Sequence, residues 1–166
     1  MQMKGRNMLF VVAGVLFLLL ILSGCPGSIE IIKLELAKQE FITKIIEEDE
    51  PEEPAVALFL GAVKAGDMVY DYVPSPDQQY KTEVVASNIS KPGFLFYLDL
   101  APGAFYNHPG RIVVMDEYGE ELYNKETQGW PMLNGNIPEV IKSPTKEEYY
   151  QAVFWNNYTV KNPTFP

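Results

Sequence analysis

Cysteine and histidine are almost missing from this chain of 166 residues: each occurs once, as Cys25 and His108. A lone thiol excludes an internal disulfide, so no covalent brace stands in for a hydrophobic core. Without a second histidine or a thiolate beside it, His108 anchors a zinc site only if carboxylates supply every other ligand. No metal and no cofactor is therefore expected, and His108, before Pro109-Gly110, reads as a loop residue that hydrogen-bonds within its turn. Basic residues are also scarce, with 13 Lys and Arg against 22 Asp and Glu. Lys4 and Arg6 precede every acid, so the chain from Pro26 onward carries 11 basic groups and a net charge of −11. That sign argues against a nucleic-acid partner and against attraction to anionic lipid. The sequence has no G-x-S-x-G, no phosphate-binding glycine loop and no dinucleotide glycine pattern, which removes the commonest hydrolase and nucleotide-binding classes.

Long apolar runs are just as few. The one that stands out is Leu9 to Leu22, 14 residues that make about 21 Å of helix at about 1.5 Å per residue. A bilayer core of about 30 Å is longer than that. With Lys4 and Arg6 in front and no acid nearby, the run has the form of a secretory signal, with its N-terminus on the cytoplasmic side. Its alternative is an uncleaved anchor from Met8 to Gly24.

The run closes on Leu22, Ser23, Gly24 and Cys25, and these four positions resemble the lipobox of prokaryotic lipoproteins. The resemblance implies that residues 1–24 are removed and that Cys25 becomes a diacylglycerol-modified N-terminus, often acylated again on its amine. Two or more acyl chains hold a protein stably on a membrane. Pro26 stands where Gram-negative lipoproteins commonly carry an Asp for inner-membrane retention, which favours the outer membrane where there is one. The expected location is thus extracytoplasmic, anchored by lipid to the cell membrane or the outer membrane.

Downstream, Ser28 to Glu50 places Leu34, Ala37, Phe41, Ile42 and Ile45 at helical spacing, and an amphipathic helix is predicted. Ile29 to Leu36 alternates nearly as well for a strand. Either the apolar face packs on the domain behind it or it meets a partner. Six acids in the seven residues Glu47 to Glu53 predict a solvated hinge. Pro54-Ala55 and Gly66 bracket a further predicted helix, the expected nucleus of the domain. Beyond Asp67 the period shortens. Met68–Val73, Phe94–Leu100, Arg111–Asp116 and Glu120–Lys125 read as strands, the last two joined by a turn in which Gly119 is available for positive φ. Tyr80 to Ser87 reads as a strand or a short helix. A last helix is predicted from Thr145 to about Trp155. The fold class is α+β, a small antiparallel sheet packed with two or three helices. The expected organisation is signal peptide 1–24, lipidated Cys25 with an amphipathic helix and acidic tether 25–54, and a folded domain 55–166. Asn107-His108-Pro109-Gly110 leading into IVVMDEYGEEL also resembles the strand-turn-strand of PepSY-type and protease-propeptide modules, which implies an α+β module without assigned chemistry.

Two functional classes follow. One is a non-catalytic binding or assembly module at the cell envelope, with another envelope protein or polymer as partner. For it, His108, Trp130 and Tyr106 form the candidate binding surface, since aromatic faces give contact area at low entropic cost. The other is a lipid-anchored hydrolase using carboxylates such as Asp99 with Asp116 or Glu117, assisted by His108. Asn88 and Asn157 head N-glycosylation sequons.

Overall fold

A computed structural model of the chain describes residues 26–51, 53–73, 81–86, 88–102, 109–142 and 146–157. Helix α1 (Pro26–Phe41) runs through a π-helical turn (Ile42–Ile46) into one further turn, Glu47–Asp49. The strands β1 (Val56–Val63), β2 (Val69–Val73), β3 (Lys81–Ala86), β4 (Gly93–Asp99), β5 (Gly110–Asp116), β6 (Glu121–Thr127) and β7 (Trp130–Leu133) follow. Short helices α2 (Glu139–Lys142) and α3 (Lys146–Ala152) then lead into β8 (Val153–Asn156). The class is α+β. One sheet has the order β6-β5-β4-β1-β8, and a smaller one the order β3-β2-β7. Every pairing within them is antiparallel.

Central strand β4 explains the layering. All seven of its residues are buried, and alternation sends them to two different cores. Phe94, Phe96 and Leu98 join Ala37, Phe41, Ile45 and Ile46 of the helical segment, with Val113 and Met115. Leu95 and Tyr97 face the other way, towards Val69, Ile112, Val114 and the half-buried Trp130 and Leu133. The five-stranded sheet is thus the middle layer. On the helix side, Phe41 meets Phe96 at 5.3 Å and Phe154 at 5.5 Å between ring centroids. The π-helical turn widens the helix by one residue, so adjacent Ile45 and Ile46 both stay buried against the sheet.

Two expectations are revised. Ala55 to Gly66 is not a helix but contains β1, paired with β4 on one side and β8 on the other. Val56, Phe59, Leu60 and Val63 fall at helical spacing because this strand is apolar towards both cores and because a bulge between Phe59 and Gly61 resets its alternation. The last helix stops at Ala152, and Val153–Asn156 pairs as an edge strand. Helix α1 lies on the sheet, as the packing alternative requires. Near the acidic run, Asn157 Oδ1 accepts from Ala55 N at 2.8 Å and Nδ2 donates to the Pro51 and Glu53 carbonyls, each at 2.9 Å.

The turn between β5 and β6 forms as expected. Gly119 has φ +77°, its N–H donates to the Asp116 carbonyl at 3.1 Å, and Asp116 N donates to the Glu120 carbonyl at 2.8 Å. A side chain at Gly119 would also collide with Glu40 of α1. Lys44 donates to the Gly119 carbonyl at 2.9 Å and Lys33 pairs with Glu117, so the turn is fastened to the helix.

Removing the Phe41 ring opens a cavity where α1, β4 and β8 meet. Phe41→Ala is expected to lower the unfolding free energy by about 3–5 kcal/mol, read from urea denaturation followed by circular dichroism.

Candidate functional site

Three of the four buried polar or charged residues among the described residues, Asp71, Asp99 and Thr127, gather at the junction of the two sheets. Sheet register puts Asp99 of β4 opposite Gly110 of β5, and Gly110 opposite Thr127 of β6. A Cβ on Gly110 would strike the Leu98 carbonyl and the Tyr97 ring, so the absent side chain is what lets that ring lie across the strand. Tyr97 Oη donates to the Gly129 carbonyl at 3.2 Å. Thr127 Oγ1 donates to Asp71 Oδ1 at 2.5 Å and accepts from Gly129 N at 2.9 Å. One hydroxyl therefore serves as donor and acceptor at once. Asp71 of β2, Thr127 and Asp99 are all buried, and Trp130 leans on Tyr97 with ring centroids 5.9 Å apart.

Burial, and then the charges of Asp99 and Asp71, push the Tyr97 phenol well above its ordinary value. It stays a protonated donor at neutral pH and has no basic or nucleophilic form to offer. Asp99 Oδ1 accepts from Ala101 N at 2.9 Å and stabilises the chain as it leaves β4. Neither Asp71 nor Asp99 is without partners. The cluster joins the sheets through its hydrogen bonds and is occupied by its own backbone and side chains.

The carboxylates singled out in the sequence are not brought together. Asp116 lies opposite Gly93, at the other end of the β4–β5 pair from Asp99. Six residues of strand separate the two ends, about 20 Å, against the 5–9.5 Å or so that paired glycosidase carboxyls need. Asp116 instead closes its turn. Its Oδ1 accepts from Tyr118 N and Glu120 N, each at 2.9 Å, and its Oδ2 from Lys91 at 3.2 Å. Burial raises the Asp116 carboxyl, but the Glu120 and Tyr118 N–H groups and the Lys91 ammonium outweigh it and hold the group below the ordinary value. Glu117, next to it, pairs with Lys33.

Trp130 is half-buried, its ring packed against the second core. Leu22, Ser23, Gly24, Cys25, Tyr106 and His108 lie outside the described residues. The carboxylate missed in the sequence is Asp71. Strand period offered a signal for it, because it sits two residues after Val69 and so shares that residue's inward face. Among the described residues, no three His, Cys, Asp or Glu side chains are grouped to hold a metal ion, and no helix is long and apolar enough to cross a membrane.

Two substitutions test these roles. Thr127→Val removes one partner of the buried Asp71 carboxylate and one of the buried Gly129 N–H and is expected to cost about 1–3 kcal/mol, with Thr127→Ser costing less, both from denaturant midpoints. Because its pKa in the fold is lowered, Asp116 stabilises the protein above the ordinary carboxylate value of 3.8. That contribution disappears as pH falls through the lowered value. Asp116→Asn should lose about 1–2 kcal/mol at pH 7 and show a flatter decline below pH 4 in acid unfolding. Comparison with models of known protein families, with curated proteins and with solved structures gives no match.

Proposed function

We propose that this protein is an extracytoplasmic lipoprotein, held on the membrane by acyl chains at Cys25, whose α+β domain is a non-catalytic binding or assembly module for another envelope protein or polymer. The observation that carries the reading is an adjacency. The four positions that resemble a lipobox end at Cys25, and the next residue, Pro26, is the first of a helix that packs on the sheet. Proline suits the opening of a helix, because its fixed φ is already helical and its missing N–H has no helical partner to lose. A domain starting one residue after the lipid needs no further anchor, and its net charge of −11 supplies none.

Support for a module over a hydrolase comes from how the acids are used. Asp116 closes a turn, Glu117 pairs with the helix, Asp99 holds the strand exit, and Asp71 bonds Thr127. Each works as an acceptor or counter-ion within the fold. The roughly 20 Å between Asp99 and Asp116 leaves the carboxylate-pair mechanism without its geometry.

The anchor is tested by mass spectrometry of the N-terminal peptide from purified membranes. A diacylglycerol-modified Cys25 is the expected species, and an intact Met1 would defeat the reading. Cys25→Ser should release the protein from the membrane or leave an unprocessed precursor.

A further inference from the structure

The first turns of α1 differ from the rest of the helix. From Ala37 onward, every residue on its inner face is buried in the sheet-side core. From Gly27 to Leu36 no side chain is buried, although Ile29, Ile31, Ile32, Leu34 and Leu36 are all apolar and only Leu34 of them packs against that core. Ile29 is 58 %, Ile31 55 % and Leu36 42 % exposed. Only three other large hydrophobic side chains among the described residues, Val84, Tyr118 and Tyr150, are comparably exposed. At 100° per residue, Ile29, Ile32 and Leu36 form one outward stripe, and Ile31 lies on another side. A helix apolar on several faces is normally covered on several faces, and the domain covers only one.

We infer that the exposed N-terminal turns of α1 seat in the lipid–water interface of the membrane that anchors Cys25. The inference rests on the proposed anchor and deepens it. Chain length is the argument. Ile29 is four residues and Ile32 seven residues past Cys25, about 6 and 10 Å along a helix, so the stripe begins within a turn or two of the anchored residue. With Pro26 already helical, no flexible spacer lifts the stripe away from the headgroups. A second copy of the chain is the poorer occupant, because four side chains fall far short of the roughly 800 Å² per partner of a stable interface. The Lys33–Glu117 ion pair also brings the β5–β6 turn beside the helix. Its Tyr118 is 73 % exposed and belongs to the residue type enriched at membrane interfaces. The acidic domain then stands beyond the headgroups, and apolar contact, not charge, holds the helix down.

The test places a photo-crosslinking benzophenone amino acid at position 29 or 36 of the full chain, expressed in a host that processes lipoproteins. A control carries it at position 128, at the end of the β5–β6 hairpin away from its turn. After irradiation of isolated membranes, phospholipid adducts are expected at 29 and 36 and absent at 128. Adducts to a second copy of the chain or to another protein, or no lipid adduct at 29 and 36, overturn the inference. The mass of the N-terminal peptide is read from the same samples. An unmodified Cys25 with lipid adducts at 29 defeats the lipid anchor but upholds the interfacial seat. A lipid-modified Cys25 without those adducts does the reverse.

Discussion

The contact on which the rest depends is the closure of α1 onto the central sheet through Phe41. Its ring is fully buried and lies within aromatic contact of Phe96 on the central strand and Phe154 on the edge strand. Three elements distant in sequence thus share one cluster. The sheet needs this cover, because β4 is buried on both faces, and an uncovered row of Phe94, Phe96 and Leu98 would present an apolar patch to solvent. Lys38 adds to the cover, its ammonium 6.0 Å from the Phe59 ring and 5.9 Å from that of Phe154.

Polar groups serve the same closure. The β5–β6 turn presents Glu117 to Lys33 and the Gly119 carbonyl to Lys44, so two lysines on the helix hold a turn that Asp116 has already fixed from within. At the other end of the helical segment, Asn157 gathers the Pro51 and Glu53 carbonyls and the Ala55 N–H. An acidic run that would repel itself as a free linker is thereby tied to the end of β8. The side-chain amide of Asn157 is engaged at both its oxygen and its nitrogen, so a glycan on that nitrogen would displace structural bonds.

These contacts bear on the proposed role through distance. A tether of some thirty residues would let the domain range widely from its anchor. A helix locked to the sheet does not, since it fixes the body of the domain relative to Pro26. With the proposed anchor at Cys25, such a build would give the domain a defined membrane-facing end.

The sequence by itself determined the signal-like charge and length of the N-terminal run and the resemblance of Leu22 to Cys25 to a lipobox, the helical periodicity from Leu34 to Ile45, and the hairpin around Gly119. Each of these is a local property: charge and run length, side-chain spacing along one helix, or a backbone angle that glycine tolerates. It could not decide β1, because a strand buried on two faces is apolar at every position and carries no alternation to distinguish it from a helix. Nor could it decide the end of the last helix, where Val153–Asn156 becomes a strand because β1 offers an edge to pair with. The fates of the acids were likewise outside its reach. Asp99 and Asp116 look alike in the chain, but the register places them at opposite ends of a strand pair, while Asp71 and Thr127, 56 residues apart, are joined by a hydrogen bond across the two sheets. Tertiary structure decided these points because they depend on which strands meet and in what register, and strand pairing is a relation between distant segments that no single segment encodes.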